Sequence, residues 1–427
     1  MAELSRVFVE VFGCSSNLAD SEIVSGILLE AGHELVEKPE DADALIVLTC
    51  TVKTPTERRV VKRLRQLQSL GTPLVVAGCM PEAQPELVAS IAPEASMLGP
   101  DSVLNVEEAV EAALAGDRIK VLGGEAPDRT CLPRARANPV VHIAPISSGC
   151  LGECSYCIVR RARGRLQSFP MEGIVEDALQ ALEDGCREIW VTAEDTAAYR
   201  WRGSRLPDLL GALSSLEGEF FIRVGMMTPN QALPILNDLI DAFSSERVFK
   251  FLHVPVQSGS DEVLRRMKRR YTVEEFVGLV ERFREAFPRL TLSTDIICGF
   301  PGETEGQFEE SLRLIERIEP EVLNISRFGP RPGTEAAGME GQIHGRITKA
   351  RSRRLTELWK QASLERSRRW EGWRGRILID EAGRNGGVVG RNFSYKPVAL
   401  GEDLTPGQFV EVEVTEARGG YLLGRTA

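Results

Sequence analysis

Over the first hundred residues, short apolar runs alternate with amphipathic stretches. "RVFVEVFGC", "ADALIVLTC" and "TPLVVAGC" read as strands ending at Cys14, Cys50 and Cys79, and helical patterns begin near "NLADSEIVSGILLEAG", "TPTERRVVKRLRQL" and "PEAQPELVAS". Near-continuous apolar strands separated by helices predict a parallel sheet covered on both faces, here a doubly wound α/β domain over 1–115. Ligands of such a sheet sit beyond the carboxyl ends of its strands. Three cysteines distant in sequence are therefore predicted at one rim.

From about Asn138 the pattern lengthens. "VHIAPIS", "EIWVTAE", "FFIRVGMM", "FLHVPVQ", "LSTDIICGF" and "EVLNISRF" are strand candidates, with segments such as "MEGIVEDALQALEDG" and "VEEFVGLVERFREAF" between them as helices. Six such units predict an incomplete TIM-like barrel, (β/α)6, over 136–366. Barrel chemistry sits at the carboxyl-terminal mouth, and the Cys150 to Cys157 loop follows the first of these strands. Beyond Trp370, "GRILIDEA", "GGVVGRN", "YKPVAL", "QFVEVEVTEA" and "GYLLGRT" are short strands punctuated by glycine, predicting a small β-barrel over 367–427 of a kind that often binds oligonucleotides.

A length of 427 residues suits about three domains. Residues that are 43% hydrophobic and 27% charged fit a globular chain, with no apolar run of membrane-spanning length. The start "MAELSRVFVE" has no secretory pattern, so the expected location is the cytoplasm, where clustered thiols more often mean metal or redox chemistry than disulfides. A net charge of −10 speaks against nucleic-acid binding, but "RRVVKRLR", "RRARGR", "RRMKRR" and "RSRRWEGWRGR" are local cationic strips. Phosphate binding depends on the local patch; solvated helix faces are the competing reading of these runs.

The spacing CxxxCxxC at Cys150, Cys154 and Cys157 offers three thiolates to a 4Fe-4S cluster and leaves one iron open to a cofactor or substrate. Structural zinc wants four ligands, and no fourth stands at a convincing spacing. With Tyr156 before the last cysteine and a barrel pattern around it, this stretch resembles the radical SAM superfamily. That resemblance implies S-adenosylmethionine on the open iron, with Tyr156 beside the adenine and Glu194 and Asp195 near the cofactor's amino group. A helix cap is an equal reading of Asp195.

Motifs elsewhere narrow the resemblance. "FGCSSN", "LTCTVKTPTERR", "AGCMP", "HVPVQSGS", "MKRRYT", "STDIICGFPGET", "RPGT" and "GRNFSYKPV" together look like the methylthiotransferase family over nearly the whole chain. "TCTVKTPTERR", "CSYCIVRRARGR" and "TAEDTAAY" are most similar to its archaeal and eukaryotic branch, although "EDTAAYRWRG" departs from the expected "EDTGAYG". The resemblance implies a second 4Fe-4S cluster on Cys14, Cys50 and Cys79, and a carboxyl-terminal TRAM domain that holds tRNA. It also implies methylthiolation of C2 of N6-threonylcarbamoyladenosine at position 37, with one S-adenosylmethionine as methyl donor and another as radical source. Electron-donor and sulfur-donor partners are implied as well, and a membrane partner is not. The alternatives are the same reaction on isopentenyladenosine tRNA or a ribosomal protein, or a noncatalytic iron-sulfur RNA-binding protein.

Arg223, Gln257, Ser258 and Asp295 are further cofactor-pocket candidates, at corresponding mouth positions. Arg161, Arg163 and Arg165 are candidates for gripping substrate anions, because guanidinium suits bidentate oxyanions. His253 reads as a satisfied core histidine, Cys186 and Cys298 as ordinary core cysteines.

Overall fold

A computed structural model describes residues 5–383 and 386–427. The first domain contains strands β1 (Arg6–Val11), β2 (Glu34–Val36), β3 (Ala44–Thr49), β4 (Leu74–Gly78), β5 (Ser96–Leu98) and β6 (Lys120–Val121), with helices α1 (Ser15–Glu30), α2 (Thr54–Gln68), α3 (Cys79–Ala83), α4 (Pro85–Ile91) and α5 (Val106–Leu114). All strands are parallel, in the order β2-β1-β3-β4-β5-β6. Both faces are covered, which explains the unbroken apolar runs. Ile46, Leu48 and Val75 turn to α1 and α5, where Val24, Leu28, Val106 and Val110 meet them. Leu45, Val47 and Val76 turn to Val60, Leu64 and Leu67, one stripe of α2. The sheet reaches past residue 115, because β6 pairs with β5 at Met97 and Leu98.

The second domain begins at β7 (Val141–Pro145). It continues through β8 (Ser147–Ser148), α6 (Val159–Arg163), β9 (Gln167–Ser168), α7 (Met171–Glu183), β10 (Glu188–Thr192), the hairpin β11 (Arg200–Trp201) and β12 (Ser204–Arg205), α8 (Leu206–Ser214) and β13 (Phe221–Val224). Then come α9 (Pro229–Ala232), α10 (Leu236–Phe243), β14 (Phe251–His253), α11 (Asp261–Arg266), α12 (Val273–Ala286), β15 (Thr291–Cys298), α13 (Glu305–Ile318), β16 (Val322–Arg327) and α14 (Gly345–Arg368). Parallel β7, β10 and β13 form one arc and parallel β14, β15 and β16 another. Backbone bonds Phe249 N to Ile222 O and Met227 N to His253 O, each 2.9 Å, join the arcs into a six-strand partial barrel. The helix-side core holds Ile189, Ile222, Leu252, Leu292, Phe243, Phe276 and Phe283. Cys186 and Cys298 are fully buried, as expected of core cysteines.

The first domain meets the barrel through α1, whose Leu18 and Ala19 pack on Val141, Ile143 and Trp190. The linker crosses α1 at Gly26, where a Cβ would run into the backbone of Pro133 and Arg134, so only glycine permits that approach.

The third domain is a closed five-strand barrel in the order β17-β18-β19-β21-β20: β17 (Arg374–Ala382), β18 (Val388–Asn392), β19 (Pro397–Leu400), β20 (Phe409–Ala417) and β21 (Leu422–Thr426). Register shifts at Ile379/Glu381 and Val414/Glu416 bend β17 and β20 so that the sheet can close. It docks at the foot of the larger barrel, near the amino-terminal ends of β14 and β15. Lys250 N donates to Phe393 O at 2.8 Å, Ser394 Oγ to Arg289 O at 2.7 Å, and Tyr395 packs on Phe249 and Phe251. The first domain sits at the other end, where Ser15 Oγ lies 2.5 Å from Thr192 Oγ1 at the carboxyl end of β10.

Candidate functional site

In the first sheet, β1 lies between β2 and β3, so the chain moves one way across the sheet after β1 and the other way after β3. A crevice opens there beyond the strand ends. Cys14 follows β1, Cys50 follows β3, and Cys79 follows β4 as the first residue of α3. Asn17 holds this rim together: its Nδ2 donates to Phe12 O at 2.7 Å and Thr49 O at 2.9 Å, and its Oδ1 lies 3.7 Å from Cys79 Sγ. Cys14 is exposed, whereas Cys50 and Cys79 are buried. Burial raises both buried thiols above their ordinary range, Cys79 to about 12, and the charge of Cys14 raises each further.

The second trio lies in the loop between β8 and α6. Gly152 N donates to Cys150 Sγ at 3.2 Å, and a Cβ on Gly152 would stand 3.2 Å from Cys150 Sγ and 3.6 Å from Cys154 Sγ. Two sulfurs thus converge over a position that a side chain would fill. The loop is pinned by Ser155, whose N bonds Met267 O at 3.1 Å and whose Oγ bonds Arg266 O at 2.9 Å. Arg269 reaches the same loop, its Nη1 3.2 Å from Cys154 Sγ and its Nε 2.9 Å from Tyr271 Oη. Among the described residues no three His, Cys, Asp or Glu side chains gather as they would around one metal ion. A 4Fe-4S cluster spreads its cysteines over separate irons rather than on one ion.

A buried charge network joins the two rims. Arg163 Nη2 donates to Asn17 Oδ1 at 2.8 Å and to Asp20 Oδ2 at 2.7 Å, and its Nε lies 3.3 Å from Glu194 Oε1. Arg129 takes the other oxygen of Asp20 at 3.0 Å. Glu194 also accepts from Ser16 Oγ at 3.2 Å, while its second oxygen, Oε2, is buried without a partner. Burial raises the Glu194 carboxyl, and Arg163 opposes that rise.

Comparison with known proteins separates the chain along these lines. Residues 6–99 match a family described as "Uncharacterized protein family UPF0004", residues 144–315 the radical SAM superfamily, and residues 368–427 the TRAM domain. A Pyrococcus horikoshii protein named "Probable threonylcarbamoyladenosine tRNA methylthiotransferase" is 43% identical over 98% of this chain and 99% of its own length. The Xenopus laevis threonylcarbamoyladenosine tRNA methylthiotransferase is 36% identical over 98% of this chain and 77% of its own. The chain belongs to the threonylcarbamoyladenosine tRNA methylthiotransferase family. In fold alone it also resembles a radical S-adenosylmethionine methyltransferase, TsrM, from Kitasatospora setae, with a TM-score of 0.56 at 14% identity over 78% of this chain and 77% of that one.

Membership of this radical SAM family brings S-adenosylmethionine and a 4Fe-4S cluster to the barrel mouth. The residues there fit both groups. Cys150, Cys154 and Cys157 would hold the cluster over the Gly152 cradle, and the unpartnered Glu194 Oε2 would meet a cationic amino group. Tyr156 packs on Val263, Met267, Phe300 and Ala336, with Ile297 and Phe328 alongside, an apolar wall suited to an adenine. Gln257 has a left-handed backbone, φ +74°, and bonds Asp295 O through its N at 2.8 Å. Backbone strain of this kind gathers at functional sites. Asp295 faces into the barrel, where His253 Nε2 lies 2.9 Å from Oδ2, so His253 is satisfied as expected. Asp195 is buried, accepts from Thr228 N at 2.9 Å and from Thr228 Oγ1, and is pushed up to about 6 by desolvation.

Three expected roles are corrected. Arg223 turns toward the barrel foot, where its guanidinium stacks 4.8 Å from the Trp190 ring centroid, 5.4 Å from Phe251 and 5.1 Å from Tyr395 of the TRAM domain, so it lies outside the cofactor pocket. Ser258 is fully buried, and its hydroxyl accepts from Ser260 N at 3.2 Å ahead of α11. Arg163, expected beside substrate anions, has its charge taken by Asp20 and Glu194 inside the protein. Arg161 and Arg165 are exposed; Arg161 touches Pro332 O at 3.4 Å, and Arg165 has no ion-pair partner among the described residues.

Asn17, Arg269 and Arg331 were missed as individual residues, although each stands inside a motif read from the sequence ("GCSSN", "MKRRYT", "RPGT"). Arg331 is buried, donating to Thr51 O at 2.9 Å, Glu57 Oε2 at 2.8 Å and Thr54 Oγ1 at 2.5 Å, directly after Cys50. Motif membership was the available signal. Asp20 and Arg129 carry none.

Proposed function

We propose that the protein places a methylthio group on C2 of N6-threonylcarbamoyladenosine at position 37 of tRNA, acting in the cytoplasm with a 4Fe-4S cluster on each thiol trio. The observation that carries this reading is the pairing itself: two trios, each beyond the carboxyl ends of a parallel sheet, meet across α1 through Arg163, Asp20 and Glu194. A binding protein has no use for two open-iron sites. Relatives matched over 98% of this chain carry the threonylcarbamoyladenosine name, which disfavours isopentenyladenosine tRNA and ribosomal protein as substrates.

Bound S-adenosylmethionine would supply the radical that takes up the C2 hydrogen, and a second molecule of it would supply the methyl group. The chain's own residues bind and orient. Glu194 takes the cofactor's amino group, and Tyr156, with Gln257 and Asp295 nearby, frames the pocket. The TRAM domain and the cationic surface hold RNA, with Arg161 and Arg165 free for substrate anions. Electron-donor and sulfur-donor partners complete the cycle. No helix among the described residues is long and apolar enough to cross a membrane.

Mass spectrometry of nucleosides from tRNA incubated with the reconstituted enzyme tests the reading. A methylthio product on threonylcarbamoyladenosine supports it, and product confined to another base overturns it. Changing Cys14, Cys50 and Cys79 together to alanine should halve the iron content of anaerobically reconstituted protein; unchanged iron removes the second cluster from the proposal.

A further inference from the structure

Helix α2 presents a face that the site described above does not use. Its buried stripe is Val60, Leu64 and Leu67. Arg63 is tied to Glu10 at 2.7 Å, and Glu57, the helix's acidic residue, turns inward to Arg331 at 2.8 Å and Thr51 at 2.7 Å. The charged groups left on the outer surface are all cationic: Lys53 just ahead of the helix, then Arg58, Arg59, Lys62 and Arg65, all exposed and without an ion-pair partner among the described residues. At a rise of 1.5 Å per residue this ridge runs about 18 Å.

Its position is as telling as its charge. The ridge starts three residues beyond Cys50, and its first turn is clamped to the loop after β16 by Arg331, with Thr54 against Gly329. Exposed Arg161, from the radical-cluster loop, contacts Pro332 and Gly333 of that same loop. Arg161 and the α2 ridge thus form one basic belt beside the mouth. The TRAM barrel offers the reverse. It docks at the foot of the larger barrel, and five of its described arginines stand beside carboxylates: Arg374 and Arg425 share Glu413 at 3.3 and 3.0 Å, Arg418 pairs with Glu416 at 2.8 Å, Arg391 with Asp380 at 2.7 Å, and Arg376 with Glu219. Paired cations contribute little to a field that attracts phosphate.

We infer that the principal phosphate-binding surface for tRNA is the α2 ridge of the first domain together with Arg161, with the TRAM barrel supplying the smaller share of the phosphate contacts. This rests on the proposed tRNA substrate and assigns its grip. A polyanion held on unpaired lysine and arginine releases counterions, so each phosphate contact steepens the dependence of binding on salt, by about 0.7 to 0.9 per contact.

The test compares binding of tRNA to the full-length reconstituted protein across a salt series. Arg58→Gln/Arg59→Gln/Lys62→Gln/Arg65→Gln should lower the salt slope by about three and weaken binding at least tenfold at moderate salt. A milder Arg58→Gln/Arg59→Gln protein, checked by its melting curve, should lose about half as much slope. Arg374→Gln/Arg418→Gln/Arg425→Gln on the TRAM barrel should leave the slope close to that of the parent. An unchanged slope in the α2 variants, or an equal or larger loss in the TRAM variant, overturns the inference while leaving the tRNA reading intact. Absence of salt-dependent tRNA binding by the parent protein overturns both.

Discussion

Arg163 and Asp20 form an ion pair of 2.7 Å inside the protein, their side chains only 4% and 3% exposed, and through it the barrel is locked to the first domain. Asp20 belongs to α1 and is shared with Arg129 of the linker; Arg163 ends α6 and also faces Glu194. Two cations thus stand among three carboxylates, Asp20, Glu194 and Asp101, the last 3.5 Å from Arg129, in one desolvated cluster, and removing one cation leaves buried negative charge unmatched.

Arg163→Met should therefore destabilise the metal-free protein by about 3 to 5 kcal/mol. Arg163→Lys should recover part of that loss, since a single ammonium keeps the charge but not the fork that reaches Asp20 through Nη2 and Glu194 through Nε. In a double-mutant cycle, Asp20→Asn added to Arg163→Met should cost less than the sum of the separate changes. Denaturant unfolding measures all three, and additive costs would rule out the coupling.

Much of this architecture is legible in the sequence, for a physical reason. Strands covered on both faces must be apolar at every position, so β3 and β4 stand out as "ALIVLT" and "LVVAG", and the cysteines that end them are placed by that fact alone. The direction of a long polar side chain is not legible in the same way. Alternation puts Arg223 on the inner face of β13, opposite Ile222 and Val224, but not whether its guanidinium points to the mouth or the foot; Tyr395, 172 positions later in the chain, decides that. Arg161, Arg163 and Arg165 likewise read as one basic cluster. Only the packing of the short α6 against α3 turns Arg163 inward and leaves its neighbours in solvent.

Arg269 places a second buried cation against the radical-cluster loop, 3.2 Å from Cys154 Sγ. A positive charge there favours the more negative, reduced state of a cluster on that loop. Arg269→Met should lower the midpoint potential, making reduction harder, in protein whose other trio has been changed to alanine. A redox titration followed by electron paramagnetic resonance reads this shift directly. A potential equal to that of the parent would show that Arg269 serves only to hold the loop.

The thiols set a pH dependence whose sign follows from their burial. Cys150 is pushed up to about 11 and Cys79 and Cys157 to about 12, against an ordinary cysteine value of about 8.5. In metal-free protein, between about pH 8.5 and 11, the folded state keeps protons that the unfolded state has released. Their contribution to stability is complete below about 8.5 and is lost as pH rises through the folded values. The melting temperature should fall over that window, and less steeply in Cys150→Ala. Cluster assembly demands the thiolates, so iron uptake should release protons and improve as pH is raised from 7 toward 9. Anaerobic loading in weakly buffered solution measures the release, and loading without proton release would contradict the protonated thiols.

Arg331 reaches from the loop after β16 across to the segment that follows Cys50, and the consequence lies in the first domain rather than the barrel. Its guanidinium gathers Thr51 O, Thr54 Oγ1 and Glu57, and Gln84 closes the group from α3's far end by donating to Thr51 and, at 2.6 Å, to Glu57. Glu57 is thus held by an arginine from another domain. Arg331→Ala should release residues 51–57, raising amide exchange there, and should lower iron on the first trio while sparing the radical-cluster trio. Arg331→Lys, which keeps the charge on Glu57 but loses the bidentate reach, should fall between the two. Hydrogen exchange, with iron content measured in a Cys150→Ala/Cys154→Ala/Cys157→Ala background where only the first trio reports and in a Cys14→Ala/Cys50→Ala/Cys79→Ala background where only the radical-cluster trio reports, would separate loop release from general unfolding. Unaltered exchange over 51–57 would show that the Cys50 segment is held without its clamp.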